Sequence, residues 1–161
     1  MMALQVRRVD YGNPSDAAAL VHLLDLYAQD AMGGGTPLSA DTRQRLCADL
    51  AQRPQAASFI AWQGDAPIGL ANCFEAYSTF KAQPLLNIHD LAVHPAHRGR
   101  GVGQALLAAV AQYAQAQGCC KLTLEVLTGN AAAMASYTRF GFAGYQLDPA
   151  AGQAVFLQKW L

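Results

Sequence analysis

The sequence carries little charge, and the charge it carries is balanced. Only 14% of the 161 residues are charged, and 11 basic residues offset 11 acidic ones. A chain with zero formal net charge and no basic stripe gives no general reason to bind nucleic acid or an anionic membrane surface. Any site for an anion must therefore be local.

Long hydrophobic runs and cysteine motifs are also missing. No stretch reaches the ~20 apolar residues that a membrane-spanning helix needs, and residues 1–16 lack the apolar region and cleavage site of a secretory signal. The four cysteines form no C-x-x-C pair and no histidine–cysteine cluster with zinc spacing. We therefore expect a cytoplasmic protein with reduced thiols, no metal and no membrane contact.

Apolar residues, by contrast, are plentiful. They make up 53% of the chain, which is enough for a sizeable core. The length fits one domain over residues 1–161, and neither a linker nor an internal repeat interrupts it.

The hydrophobic periodicity predicts a mixed α/β domain in the order β-α-α-β-β-β-α-β-α-β-β. Strands are predicted at 4–11, 57–63, 66–79, 84–93, 120–127, 141–147 and 152–160, the last two as a hairpin. Helices are predicted after an N-cap at Ser15 or Asp16, and over 39–53, 101–118 and 130–140. Ser39 and Asn130 are the expected N-caps of the second and fourth helices.

The segment Arg98–Gly103 crowds three glycines and two arginines between a predicted strand and a helix. The free N–H groups and the dipole of a helix start attract an anion, and phosphate is the usual guest. Glycine lets the backbone approach that anion closely, and the arginines add positive charge. Neither the P-loop pattern nor the dinucleotide fingerprint G-x-G-x-x-G fits the segment.

The spacing that does fit is Arg98-x-x-Gly101-x-Gly103, which resembles the [Q/R]-x-x-G-x-[G/A] pyrophosphate loop of the GNAT N-acetyltransferase superfamily. Residues 130–142 resemble the family's next segment, with Asn130, a helix Tyr137 seven positions later, and Gly141–Phe142. The predicted element order matches as well. The resemblance covers most of the chain and rests on all three features together.

The resemblance implies a central, mixed and mostly antiparallel sheet of six to seven strands flanked by about four helices. It implies acetyl-CoA as co-substrate, held where a bulge splays two strands into a V-shaped slot. The implied cofactor-binding residues are Leu91, Ala92, Val93, Arg98, Gly99, Arg100, Gly101, Val102, Gly103, Gln104, Asn130, Ala133 and Tyr137.

The implied activity is transfer of an acetyl group to a primary amine of a small molecule or peptide by direct attack in a ternary complex. Relatives place a general acid at the position of Tyr137, and a phenol with a pKa near ~10 suits a proton donor at neutral pH. An N–H group of Ala92 or Val93 is the implied donor to the oxyanion.

Three routes for the amine proton stay open. His89 lies two residues before Leu91, and arylalkylamine acetyltransferases have a histidine at the matching place. Glu125 precedes Tyr137 by twelve residues, a spacing similar to that in N-terminal acetyltransferases of ribosomal proteins. A chain of water molecules is the third route. Strand alternation predicts that Asn87 shares the face of His89 and that Asp90 points to the other face.

The acceptor side of the family lies between the first two helices and the third and fourth strands. The implied substrate-binding residues here are Tyr27, Asp30, Phe74, Glu75, Tyr77 and Asn87. Aromatic rings beside carboxylates suit a cationic amine, but the sequence does not identify it. A non-catalytic acyl-CoA-binding module of the same fold is the alternative function, and the apolar C-terminus fits a homodimer.

Overall fold

The computed structural model describes residues 2–145 and 147–161. Four helices are α1 (Pro14–Gln29), α2 (Ala40–Ala51), α3 (Val102–Ala116) and α4 (Ala131–Phe140). Five strands are β1 (Leu4–Arg8), β2 (Ala56–Gln63), β3 (Ala66–Ser78), β4 (Gln83–Val93) and β5 (Leu122–Leu124). The predicted element order is confirmed from β1 through α4.

The strands form one sheet in the order β1-β2-β3-β4-β5. Neighbours from β1 to β4 are antiparallel, as expected of strands joined by short connections. β5 is parallel to β4, and α3 supplies the crossover that a parallel pair requires. The sheet is therefore mixed, as predicted.

The two faces of the sheet are covered by different helices. α3 packs on one face, where Leu106, Leu107 and Val110 are fully buried. α1 and α2 pack on the other face, where Leu20 and Leu23 meet Ile60 and Leu70. Burial of these side chains removes each face from water, which is the main source of stability for such a layered domain. No helix among the described residues is long and apolar enough to cross a membrane.

Two helix starts match the sequence prediction and one does not. The Ser39 hydroxyl accepts from Thr42 N at 3.1 Å, and Asn130 Oδ1 accepts from Ala133 N at 3.2 Å. The prediction of Ser15 or Asp16 as the first N-cap is wrong. Asn13 caps α1 because its side chain reaches the N–H groups of both residues, while Pro14 starts the helix.

The predicted strands 141–147 and 152–160 are not formed in the described part of the chain. The structure has a short 3₁₀ turn at Pro149–Ala151 and no strand after β5 within the described residues, which gives five strands instead of six to seven. A strand needs a paired neighbour, and alternation supplies only a preference. The side chains of the final segment are exposed accordingly: Val155, Phe156, Leu157, Trp160 and Leu161.

Candidate active site

A β-bulge lies in the middle of β4. Opposite β3, Asn72 pairs with Asp90 and the next residue, Cys73, pairs with Ile88. His89 is therefore the extra residue on β4. A bulge of this kind bends a strand and redirects its side chains.

The bulge places His89 and Asp90 on the same face of the sheet. The His89 ring meets the Phe74 ring edge-on, with centroids 5.6 Å apart. Asp90 Oδ2 accepts from Asn72 Nδ2 at 3.1 Å, and residues 72 and 74 share a face by alternation. The prediction that Asp90 points away from His89 is wrong because the extra residue resets the alternation. Asn87 pairs with Phe74 and lies on this same face, as predicted.

A gap opens between β4 and β5 next to the bulge. Their pairing runs from Leu86 with Leu122 to Ile88 with Leu124 and stops there. β5 is accordingly shorter than the predicted strand 120–127. Beyond Ile88, β4 has no strand partner on its β5 side within the described chain, so Leu91, Ala92 and Val93 lie along an open edge. Glu125 directly follows β5 and is exposed on the opposite side of the gap.

The glycine-rich loop joins the end of β4 to α3. Gly99 has φ 72° and Gly101 has φ 80°, which is the left-handed region that favours glycine. Gly101 is the N-cap of α3, and no side chain accepts a hydrogen bond there. The first N–H groups of α3 are therefore available to an anion.

Arg98 connects this loop to the segment after α1. Its Nε donates to the Val93 carbonyl at 3.1 Å, and its Nη2 donates to Asp30 Oδ2 at 3.1 Å. Asp30 Oδ1 accepts from Met32 N at 2.9 Å. The backbone hydrogen bond from Met32, followed by the one from Arg98, lowers the pKa of Asp30. Both oxygens of Asp30 are thus engaged within the protein.

Two contacts fix α4 against α3. Gln104 Nε2 donates to the Ser136 carbonyl at 2.9 Å and lies 3.0 Å from the Ser136 hydroxyl. A Cβ placed on Gly103 would lie 3.9 Å from both the Ser136 hydroxyl and Val93, which is ordinary van der Waals contact between α3, α4 and the end of β4. The side chain of Gln104 therefore serves the α3–α4 contact. Ala133 lies in the first turn of α4, after the cap at Asn130.

Tyr137 and Tyr27 lie on α4 and α1, helices on opposite faces of the sheet. Tyr137, on α4, packs edge-on against Phe142 at 5.9 Å between centroids. Burial, and next the neighbouring Tyr27, raises the pKa of Tyr137, so its hydroxyl stays protonated at neutral pH. Burial raises the pKa of Tyr27 as well, with further contributions from the charges of Asp90 and Asp30. The charge of Asp90 therefore acts on Tyr27, and Tyr27 acts on Tyr137.

A row of hydrogen bonds across three strands leads to Asp90. Tyr11 Oη lies 2.8 Å from Ser58 Oγ, and Ser58 Oγ donates to Asn72 Oδ1 at 2.7 Å. Asn72 then donates to Asp90. The sequence analysis missed Asp90, Asn72 and Ser58, since only the bulge brings Asp90 to this face. The family resemblance implied a bulge, but no local sequence signal marks the residue at which it falls.

The structure does not bring all predicted acceptor residues together. Phe74 and Tyr27 lie by the gap, and Asn87 donates to Thr123 Oγ1 at 3.0 Å. Glu75 and Tyr77 alternate to the α3 face and pair with Leu86 and Pro84, before the gap opens. Burial raises the pKa of Cys119, beyond the end of α3, and the charge of Glu75 raises it further.

Comparison with known proteins settles the family. Residues 20–142 match the model described as the acetyltransferase (GNAT) family, and this match covers more than half of the chain. The chain belongs to the GNAT acetyltransferase family. Proteins of this family use an acyl-CoA.

Individual GNAT proteins are similar over part of the chain. Streptothricin acetyltransferase of Streptomyces lavendulae is 42% identical over 77 residues, 48% of this chain and 41% of that protein. Thialysine N-epsilon-acetyltransferase of Bos taurus is 35% identical over 79 residues, 49% of this chain and 46% of that protein. The chain thus spans less than half the length of these curated relatives.

The solved structure of aminoglycoside N-acetyltransferase AAC(6')-Iy in complex with CoA shares the fold. Its TM-score is 0.75 at 19% identity, over 99% of this chain and 96% of that one. Within the GNAT fold, the described geometry offers three elements: an open strand edge, a helix start with free N–H groups, and the half-buried phenol of Tyr137. These elements can bind an anionic, amide-containing ligand and donate a proton to it.

Proposed function

We propose that residues 1–161 act as one acetyl-CoA-dependent N-acetyltransferase domain whose acceptor is a primary amine of a small molecule that is cationic at neutral pH. The observation that carries the proposal is the gap beside the bulge of β4. The glycine-rich loop lies at the end of the β4 edge that borders this gap, and Tyr137 on α4 packs on the same core cluster as Leu91 and Val93 of that edge. One acyl-CoA laid along that edge could use all three.

Acetyl-CoA has two parts that the backbone can hold. Its pyrophosphate suits the free N–H groups from Gly99 through Gln104, where Gly99 and Gly101 leave the approach open, while the Arg98 N–H donates to the Pro95 carbonyl. Its pantetheine amides suit the open edge at Leu91 and Val93, as a peptide would in strand addition. Asn130 and Ala133 at the start of α4 line the other side of the slot.

The chemistry divides among a few groups. Tyr137 gives its proton to the departing thiolate, and its raised pKa keeps that proton available. The N–H of Ala92 or Val93 donates to the oxyanion that forms on the acetyl carbonyl. His89, exposed at the bulge on the face of Phe74, takes the proton from the attacking nitrogen. Glu125 on the other side of the gap is the rival base.

Names of similar proteins support a small amine acceptor. The relatives are named for streptothricin and for the ε-amine of thialysine, and the structural neighbour for aminoglycosides. Tyr27, Phe74 and Asn87 lie on the face of His89, where such an acceptor would approach. A peptide amine is the other candidate acceptor and belongs in the same screen.

The deciding experiment is calorimetric titration with acetyl-CoA, with CoA, NAD and ATP as comparisons, followed by a turnover screen of primary amines. We expect binding of acetyl-CoA and CoA alone. Gly103→Val should weaken it by about tenfold or more, since its two γ-methyl groups would extend past a Cβ that is already in contact with Val93 and Ser136. Ala108→Val adds the same side chain on the exposed side of α3 and should leave binding unchanged.

The outcomes distinguish an acetyltransferase from a non-catalytic binding module, and they identify the base. Absence of acetyl-CoA binding would overturn the proposal. Binding without turnover of any amine would favour a non-catalytic acyl-CoA-binding module. Turnover that survives His89→Gln but not Glu125→Gln would move the base to Glu125, and survival of both would favour water.

We also propose that the protein forms a homodimer through its C-terminal segment. Five large apolar side chains of residues 155–161 are exposed, which is unusual for a free surface. Light scattering should give twice the monomer mass, and removal of residues 153–161 should give the monomer. A monomeric full chain would exclude this assembly.

A further inference from the structure

We propose that Asp90 is the carboxylate that receives the positively charged acceptor amine, and that Asn72 orients it as the last link of a hydrogen-bond chain from Tyr11 through Ser58. The inference rests on the proposed function, because it assigns the acceptor side of the same site. It adds a substrate-binding carboxylate and a positioning residue that the sequence did not indicate.

The direction of every bond in the chain follows from chemistry. The Asp90 carboxylate can only accept, so the Asn72 amide nitrogen faces it and Asn72 Oδ1 faces Ser58. Ser58 has one proton, which it must give to Asn72 Oδ1. The Tyr11 hydroxyl must therefore donate to Ser58. All three bonds point toward Asp90, and bonds aligned in this way polarise one another.

The middle of this hydrogen-bond chain is buried in a part of the core that is otherwise apolar. Ser58 is 1% exposed and Asn72 is 4% exposed, and their neighbours on β2 and β3 are apolar. A buried polar group without a partner is costly, so each member depends on the next. An uninterrupted chain of this kind can hold one carboxylate in one orientation.

The second carboxylate oxygen of Asp90, Oδ1, can accept a hydrogen bond from a ligand. Oδ2 accepts from Asn72, while Oδ1 has no hydrogen-bond or ion-pair partner among the side chains that the structure describes. No buried side-chain oxygen in the described residues lacks a partner, so Oδ1 must reach solvent. The nearby cation Arg98 is already engaged with Asp30 and Val93. Oδ1 is thus an available acceptor for a charged donor.

The location of Asp90 matches the proposed chemistry. It follows His89 at the bulge, shares the face of His89 and Phe74, and precedes the open edge at Leu91. Its charge also acts on Tyr27, which places it at the α1 side of the gap. An ammonium group held at Oδ1 would lie beside His89, the proposed base.

The test measures KM for the amine, kcat and acetyl-CoA affinity in wild type, in four single variants and in one double mutant. The probe is whichever of lysine, spermidine or kanamycin is turned over fastest. Asp90→Asn should raise the amine KM by about 10- to 100-fold, since a charge-assisted hydrogen bond is lost. Asn72→Leu should raise it several-fold, and Tyr11→Phe, at the far end, by about twofold. Acetyl-CoA affinity should not change.

A double mutant shows whether Asn72 acts through Asp90. Asn72→Leu should add little to Asp90→Asn, because the carboxylate that it orients is already gone. Additive effects would make Asn72 merely structural and overturn the positioning role. If Asn72→Leu does not fold, Tyr11→Phe takes its place in the cycle, since it removes one partly exposed hydroxyl and keeps the ring.

Controls distinguish this inference from the function beneath it. Asp49→Asn removes the same charge from the exposed face of α2 and should leave all three constants unchanged. Wild-type turnover with an unchanged amine KM in Asp90→Asn would overturn the inference and leave the function standing. Absence of acetyl-CoA binding in wild type would overturn both.

Discussion

The two faces of the sheet have interiors of different character. Under α3 the buried side chains are apolar, apart from the thiol of Cys73. Under α1 and α2 the apolar cluster encloses Ser58 and Asn72, the two buried polar residues of the described core. Leu106 and Leu20 are both 0% exposed, so the centre of each face excludes solvent to the same extent.

The difference shows how one sheet separates stability from chemistry. The α3 face fixes the helix whose start carries the glycine-rich loop. The α1 face carries the polar chain to the bulge, where Asp90 and His89 emerge. Tyr137 packs on the α3 face, and its pKa is raised first by burial and second by Tyr27 of the α1 face.

The largest effect should come from the leucines at the two centres. Leu106→Ala and Leu20→Ala should each lower the free energy of unfolding by about 2–5 kcal/mol, because each removes buried atoms and leaves a cavity. Urea titration measures both. Gln112→Ala on the exposed side of α3 should stay within about 0.5 kcal/mol of wild type. If only one of the two variants lost less than about 1 kcal/mol of unfolding free energy, the two faces would not contribute equally to stability.

Next in size is the effect of Tyr137→Phe on catalysis. Turnover should fall by about 10²-fold with little change in acetyl-CoA affinity, since only the proton donor is lost. Steady-state kinetics and calorimetry measure the two quantities. Tyr113→Phe is the matched control, as this tyrosine also packs on the α3 face, against Phe59, away from the gap. An unchanged rate in Tyr137→Phe would remove it as the acid.

Much of the fold could be predicted because its signals are local. Ser39 and Asn130 cap their helices through bonds within three residues, and β2, β3 and α3 follow the hydrophobic period. The glycine-rich loop was visible for the same reason. Family membership, predicted from that loop and from the 130–142 spacing, is confirmed.

What could not be predicted depends on pairing between distant segments. The resemblance implied a bulge, but its position at His89 follows from the pairing of Asn72 and Cys73 with Asp90 and Ile88, and this one extra residue moved Asp90 to the other face. The pattern of residues 152–160 predicted a strand, but alternation does not provide an edge to pair with. The roles of Tyr137, His89 and Glu125 stay predictions.

Alkaline pH should weaken the α3 face through Cys73. Burial first, and the charge of Asp90 second, raise the pKa of this thiol from 9.0 to about 12. The contribution is present below pH 9, where folded and unfolded chains are both protonated, and is lost as pH rises toward the folded value. Stability should therefore fall above pH 9, by at most about 1.4 kcal/mol per pH unit for each such group.

Urea titrations at pH 8, 9, 10 and 11 measure this slope. Cys73→Ala should flatten it, while Cys120→Ser, at an exposed thiol, should leave it as in wild type. Tyr11, Tyr27 and Tyr137 have raised pKa values that act in the same direction, so some slope should persist. Equal slopes in Cys73→Ala and wild type would show that the thiol does not contribute.

The smallest effect should come from the pair that joins the α1 side to the glycine-rich loop. Asp30→Asn breaks the contact with Arg98, whose side chain is 54% exposed, so unfolding should lose about 1 kcal/mol or less at pH 7. The pKa of Asp30 is lowered, chiefly by the Met32 N–H and then by Arg98, so its contribution is present above pH 3.8 and lost as pH falls below it. The variant and wild type should therefore converge in stability in acid. Asp41→Asn, which breaks a 3.1 Å pair with Arg45 on the exposed face of α2, is the control of equal charge.

In Asp30→Asn, the affinity for acetyl-CoA should change less than threefold, because the loop is proposed to hold the pyrophosphate by its backbone. A tenfold loss in Asp30→Asn alone would mean that the pair with Arg98, and not only the glycine backbone, sets the shape of the loop.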